Sequence, residues 1–258
     1  MPRLVIVSNR VDLPKKGVKA GGLAVALRDA LEKRGGLWFG WSGEVGDDDA
    51  PTPPKRVSQG RTTYVTTDLS RQDYDEFYNG FSNSTLWPLF HYRLGLLEVS
   101  RRSYAGYLRV NARFAAALAP LLQPDDIIWV HDYHLIPLGD ELRKLGVRNR
   151  MGFFLHTPFP VPELLVALPG HRRLFQAMCA YDLVGFQTND DVRAFLGYAS
   201  GEAGGLVEPD GSFVAYGRCA RAASYPIGID TEAFATLSRE RADAPESRRL
   251  KEIGRAHV

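Results

Sequence analysis

Cysteine is scarce in this chain: there are two among 258 residues, Cys179 and Cys219. Neither sits in a CxxC or CxxH pattern, so neither a zinc site nor a disulfide framework is indicated. A reducing compartment fits best. An excess of one charge is missing too. The 32 Lys and Arg residues stand against 30 Asp and Glu, a net charge of +2. That balance argues against a nucleic-acid or membrane surface built on bulk charge. No apolar run approaches the ~18 residues of a membrane span. The run Leu4-Val5-Ile6-Val7 is too short for a signal peptide and lacks a small-residue cleavage site. There is no internal repeat and no low-complexity tract. The chain therefore reads as cytoplasmic.

What is present is enough apolar material for a sizeable core, 45% of the residues. The length suits one large α/β domain, or one domain and part of another. Short apolar strands are expected at 4–8, 38–41, 62–67, 126–130, 151–155 and 183–186. Helices are expected at 23–33, 70–78, 103–122, 135–145, 162–168, 171–181 and 190–199. Gly35-Gly36 closes the first of these, and Ser70 caps the second. Residues 47–60, acidic and then rich in Pro and Lys, read as an exposed loop. A strand pair is expected within 215–225. Strand–helix alternation of this kind predicts a mostly parallel, helix-covered sheet of the Rossmann-like α/β class.

Two strands deliver ionisable groups at their carboxyl ends. One is Asp126-Ile127-Ile128-Trp129-Val130-His131-Asp132-Tyr133-His134. The other is Met151-Gly152-Phe153-Phe154-Leu155-His156-Thr157-Pro158. In an open α/β sheet, ligands bind in the crevice past these ends, so Asp132 and His156 are candidates for one shared site. Asp132 is open to three readings: a ligand for sugar hydroxyls, a base, or the cap of the next helix. His156 either donates to a ligand oxygen or is a satisfied core histidine; Thr157-Pro158 and Phe159-Pro160 stiffen the loop after it. Arg10 ends the first strand and suits bidentate phosphate recognition or an ion pair with a carboxylate. Gly21-Gly22 is not a GxGxxG motif. It either lets phosphates approach a helix N-terminus or is a simple turn. The aromatics around Tyr78 and Trp87 are core or a sugar-stacking wall. Of Trp38 and Trp41, one is expected buried and one lining a cleft. His131 and His134 have no zinc spacing and no evident third ligand.

Taken in order, several motifs resemble the trehalose-6-phosphate synthase family. They are Val5-Ile6-Val7-Ser8-Asn9-Arg10, Ala20-Gly21-Gly22-Leu23, Leu37-Trp38-Phe39-Gly40-Trp41-Ser42-Gly43, Tyr78-Asn79, Leu86-Trp87-Pro88, Trp129-Val130-His131-Asp132-Tyr133-His134, Phe154-Leu155-His156-Thr157-Pro158-Phe159-Pro160, Gly185-Phe186-Gln187-Thr188 and Tyr225-Pro226-Ile227-Gly228-Ile229-Asp230. The resemblance implies the N-terminal domain of a GT-B glycosyltransferase, two Rossmann-like domains around a cleft. It implies glucose transfer from UDP-glucose to glucose 6-phosphate with retention, and no protein nucleophile. No Asp or Glu pair is placed for double displacement. Arg10, Trp41, Tyr78, Trp87 and Asp132 would hold glucose 6-phosphate. Gly21, Gly22 and His156 would serve UDP-glucose. Asp132 and His156 would be the catalytic pair. No cofactor or metal is implied, UDP-glucose being a substrate, and a homo-oligomer is compatible with the family. The rivals are a non-catalytic sugar-phosphate binding module and a related transferase with another acceptor.

On this reading residues 1–230 form the acceptor-binding domain and 231–258 a truncated helical connector. The heptapeptide Glu252-Ile253-Gly254-Arg255-Ala256-His257-Val258 matches a translated sequencing-library adapter, so 252–258 is expected to be an artefactual tail. The family's second-domain residues for the diphosphate and ribose have no counterpart here. The fragment by itself is therefore expected to be inactive.

Overall fold

Along the first strand, β1 (Leu4–Arg10), successive side chains point to opposite faces. Val5 and Val7 enter one buried cluster and Ile6 enters another, so the sheet has a core on each side. A computed structural model of the chain describes residues 2–11, 13, 27, 30, 31, 34–46, 53–228, 231–242, 244, 245 and 247–249. The chain divides into two units, Met1–Tyr225 and Pro226–Val258.

The first unit holds the sheet. Its further strands are β2 (Gly36–Gly46), β3 (Lys55–Gln59), β4 (Thr62–Ser70), β5 (Ile127–His131), β6 (Arg150–Phe154), β7 (Leu183–Phe186), β8 (Leu206–Val207), β9 (Ser212–Ala215) and β10 (Arg218–Ser224). Their order is β3-β4-β2-β1-β5-β6-β7-β10-β9-β8. The stretch from β4 to β10 is parallel throughout. Counting the parallel strands alone, β4-β2-β1-β5-β6-β7-β10 runs 3-2-1-4-5-6-7, the Rossmann order with one strand added. Chain direction across the sheet reverses between β1 and β5, which opens a crevice at their carboxyl ends.

One core layer packs the helices that follow β4 and β5. A helix begins at α1 (Arg71–Asp73), winds as a π-helix over Tyr74–Leu86 and ends as α2 (Trp87–Phe90). Ser70 caps it, its hydroxyl accepting from Asp73 N at 3.1 Å. It lies against α3 (Arg101–Leu118), capped by Ser100. Then come α4 (Leu138–Lys144), α5 (Pro162–Leu165), α6 (His171–Met178) and α7 (Asn189–Ser200), the last with a Thr188–Asp191 capping box. On the opposite face Leu27 and Leu31, four residues apart and helical, cover Ile6, Trp38 and Tyr64. Most of the helix expected at 23–33 lies outside the described residues. The second unit contains α8 (Thr231–Arg241).

β8 was not expected, β2 is longer than expected, and further segments differ from the sequence expectations. Residues 55–59 of the expected loop form β3, an exposed edge strand antiparallel to β4. Polar edge residues carry no apolar alternation to read. The helix expected to stop at 78 continues to 90, packed along α3. The pair expected within 215–225 is the antiparallel hairpin of β9 and β10, which starts earlier, at Ser212.

The π-wound segment is fastened to α3 by buried carboxylates. Arg109 donates to Asp73 at 2.7 Å and to Glu76 at 2.8 Å; Arg113 also pairs with Asp73, and Arg102 with Glu76. The two helices approach so closely that a Cβ at Gly106 would collide with Glu76. Burial pushes the Glu76 carboxyl up, but hydrogen bonds from Arg102, Arg109 and Gln72 outweigh that and hold it at about 2. The folded value lies below the unfolded 4.5, so the stabilisation is present above pH 4.5 and lost as pH falls towards 2. Glu76→Gln is therefore expected to reduce the unfolding free energy by about 3 kcal/mol at pH 7, a loss that shrinks below pH 4.5. Denaturant titrations at several pH values check this; a deficit that does not change with pH would contradict it.

Candidate functional site

The carboxyl ends of β1 and β5 are shaped by irregularities in pairing. The β1–β2 register shifts between Ser8 and Arg10, and the β2–β4 register shifts between Trp41 and Val45. Such bulges re-aim side chains at a sheet edge. Here they bring the Arg10 guanidinium carbon to 6.0 Å from the Trp41 ring centroid, within cation–π range. Gly43 completes the seat. Its φ is +92°, and a Cβ there would stand 2.7 Å from Arg10 Nη2. The Trp41 indole is fixed by donating Nε1–H to Glu44 O at 2.7 Å.

From Trp41 a chain of rings leads across to β5. Trp41 meets Tyr74 and Tyr78 at 5.7 and 5.4 Å, and Tyr78 lies nearly parallel to His134 at 5.8 Å. His134 stacks on Tyr133 at 4.0 Å, and Tyr133 Oη donates to Asn83 Oδ1 at 2.9 Å. Trp87 stands further out, 37% exposed, stacked on His91 at 4.3 Å. Of Trp38 and Trp41, expected as one buried and one lining a cleft, neither is open to solvent. Both are buried, Trp38 donating to Ser8 Oγ and Trp41 at 5% exposure under Arg10 and the tyrosines.

Asp132 occupies φ +76°, ψ 165°, a backbone region nearly restricted to glycine and costing about 1–3 kcal/mol. The capping reading does not hold: its side chain makes no capping hydrogen bond to the turn it precedes. Instead Asp132 Oδ1 accepts the backbone N–H of His156 at 3.3 Å, while Asp132 N donates to Phe154 O at 2.8 Å. Burial raises its carboxyl to about 6, against the opposing pull of the Tyr133 and His156 N–H groups and the His91 charge. Strain retained at a strand end beside a crevice points to a functional residue.

His156 follows β6, and its Nε2 lies 3.0 Å from His131 Nδ1. The loop after it is tied down at both ends: Phe159 N donates to Asp191 at 2.8 Å, and Val161 N to Tyr92 Oη at 3.1 Å. Burial lowers His156 to about 4 and His134 to about 3, so both imidazoles are neutral at pH 7. The rings of His131 and His134 turn to different neighbours. Among the described residues no group of three His, Cys, Asp or Glu side chains is disposed around a metal ion.

The structure thus draws Arg10, Trp41 and Tyr78 together and joins Asp132 to His156, with Trp87 at the rim. Gly21 and Gly22 lie outside the described residues. The sequence reading gave no role to Tyr74 or His91. Each sits four residues along a helix from a residue that was singled out, Tyr78 and Trp87, and that spacing puts them on the same face.

The chain is similar to known proteins over nearly its whole length. The sequence profile of Glycosyltransferase family 20 matches residues 5–256. A trehalose-6-phosphate synthase of Cronobacter sakazakii is 52% identical over 239 residues, 92% of this chain and 50% of the relative. A UDP-forming alpha,alpha-trehalose-phosphate synthase of Burkholderia xenovorans, solved in complex with glucose 6-phosphate, superposes with a TM-score of 0.88 at 50% identity. It covers 97% of this chain and 55% of that one. An E. coli protein solved with UDP-2-fluoro glucose bound gives a TM-score of 0.86 at 50% identity, covering 97% of this chain and 53% of that one. The chain spans about half the length of the curated relatives it matches. Among the described residues no helix is long and apolar enough to cross a membrane.

The raised Asp132 carboxyl gives a pH signature. Its folded value, about 6, lies above the unfolded 3.8, so the folded chain holds the proton more tightly. Ionising it costs stability above pH 6, and that cost is absent below about pH 4. Asp132→Asn keeps the acceptor for His156 N–H and removes the charge. It is expected to be more stable than the parent at pH 8, by about 1–3 kcal/mol, with no gain at pH 4. Melting curves at both pH values decide it; destabilisation at pH 8 would show that the carboxylate is better accommodated than its burial implies.

Proposed function

Because this chain belongs to glycosyltransferase family 20, we propose that it carries the acceptor side of a UDP-forming trehalose-6-phosphate synthase. The reaction is transfer of glucose from UDP-glucose to glucose 6-phosphate with retention, giving trehalose 6-phosphate and UDP. The observation that carries the reading is Arg10 on Trp41 at the end of β1, across the reversal point from the strained Asp132. A planar cation beside an aromatic wall and a carboxyl suits a molecule with phosphate at one end and hydroxyls at the other. The glucose 6-phosphate bound by the Burkholderia relative supports the same reading.

In this mechanism Arg10 and Tyr78 hold the acceptor phosphate, with Trp41 and Trp87 beside it. Asp132, close to half protonated near pH 6, meets the sugar hydroxyls as either donor or acceptor. His156 donates an imidazole N–H to an oxygen of the donor glucose, and Gly21-Gly22 approaches its diphosphate. The departing phosphate takes the acceptor proton on the front face, so no protein nucleophile is needed. The residues orient the two sugars and stabilise charge as it develops. No cofactor enters; UDP-glucose is the donor substrate. We place the protein in the cytoplasm, a reading supported by its two free thiols.

The test is acceptor binding to this chain by calorimetry. One charge-assisted hydrogen bond contributes about 1.5–3 kcal/mol. Arg10→Ala is therefore expected to weaken glucose 6-phosphate about 10- to 100-fold while leaving glucose unchanged. Gly43→Ala, which displaces the guanidinium without deleting it, is expected to act in the same direction. Equal loss for both sugars would remove Arg10 from the phosphate site.

A further inference from the structure

The reading above leaves His131 without a task, although it is among the most enclosed polar residues of the sheet, at 1% exposure. It sits two residues beyond Trp129 on β5, and alternation puts both rings on the face covered by Leu27 and Leu31. The His131 ring lies between Trp129, at 4.3 Å, and His156, at 5.2 Å and 27°. Its Nδ1 is 3.0 Å from His156 Nε2, and its own Nε2 is buried with no partner among the described residues.

We infer that His131 is a positioning residue that sets the tautomer of His156, so that His156 turns its Nδ1–H, a donor, towards the crevice. The argument is one of counting protons. A bond between two neutral imidazoles needs one N–H and one lone pair. If His156 Nε2 donated, the His131 proton would sit on Nε2, leaving a buried N–H with nothing to bind. Buried N–H groups without partners are rarer than unsatisfied acceptors. The favoured arrangement puts the His131 proton on Nδ1, donated to His156 Nε2, and leaves a bare lone pair on His131 Nε2. His156 then carries its own proton on Nδ1. Burial lowers both rings well below the usual histidine range, with the His156 neighbour adding to the effect on His131, so a doubly protonated member does not intervene at pH 7. Close contact with the Trp129 ring, tilted by 54° at 4.3 Å, hinders the His131 ring from rotating away. The backbone of His156 is pinned separately by Asp132 Oδ1 at 3.3 Å. Asp132 thus fixes the position of the residue and His131 the direction of its proton, the role that second-layer partners play for catalytic and metal-bound histidines.

This inference rests on the reading that His156 serves the donor sugar, and it specifies that the ligand atom there is an acceptor such as a hydroxyl or ring oxygen. The experiment is long-range proton–nitrogen correlation on the unliganded chain labelled with nitrogen-15 histidine, assigned with single histidine substitutions. The expected spectrum shows His156 protonated at Nδ1 and bare at Nε2, with a coupling across the hydrogen bond to His131 Nδ1. His131→Asn, whose amide offers a donor near the same place, should keep a single His156 tautomer. His131→Phe should give a mixture of the two forms while the spectrum of residues away from the site is unchanged. A proton on His156 Nε2 in the parent chain overturns the inference, and so does an unaltered His156 in His131→Phe. The parent measurement decides the matter even where a variant fails to fold. The tautomer is read without ligand, so it stands or falls separately from the reading that His156 serves the donor glucose.

Discussion

The pairing of β1 with β5 is the constraint on which the site depends. Leu4 to Val7 run parallel to Ile127 to Val130, pairing residues 123 apart in sequence. The chain leaves β1 towards one edge of the sheet and leaves β5 towards the other. In an open parallel sheet such a reversal of strand order places the ligand crevice past the carboxyl ends of the two strands. Arg10 stands on one side of it and Asp132 on the other. No local property of either segment creates this neighbourhood; a parallel sheet with helices on both faces does.

Two kinds of reinforcement make the crevice rigid. On the face of the π-wound segment, arginines of α3 hold Asp73 and Glu76, which fixes the helix that presents Tyr74 and Tyr78 to Trp41. The ring chain from Trp41 to Tyr133 then spans the reversal point with no gap. On the other face, the His131–His156 contact and the Asp132–His156 N–H bond tie the ends of β5 and β6 together. The strain at Asp132 persists because packing over-determines it. Tyr133 and His134 are buried on one side and Phe154 O is bonded on the other. π-helical winding and positive φ at a non-glycine residue both tend to occur at functional positions, and here they occur on elements that meet at one crevice.

Much of the fold was legible. Short apolar runs between helical periods marked five of the parallel strands and alternation marked β4, and β7 was placed at 183–186. The edge strand β3 was missed because all five of its residues are exposed, leaving no alternation to detect. The helix after Ser70 was cut short at 78. Its buried carboxylates look like surface residues until their partners on α3, about 30 residues away, are known. Of the site, Arg10, Asp132 and His156 were visible as ionisable groups at strand ends. Tyr74 and His91 were not, since an aromatic in a helix looks the same whether it faces a core or a cleft.

The sequence by itself determined which residues form strands, which glycines and serines bound them, and which charged groups end them. Those are consequences of backbone sterics and of local periodicity, and they act over a few residues. Tertiary structure alone decided that Trp41 lies beneath Arg10, that Asp132 holds the amide of His156 rather than a helix turn, and that His131 faces His156. All three depend on strand order, and the first also on a register shift of one residue between Ser8 and Arg10. Such a shift turns a side chain to another neighbour, and its energy comes from contacts between segments that the chain order keeps far apart.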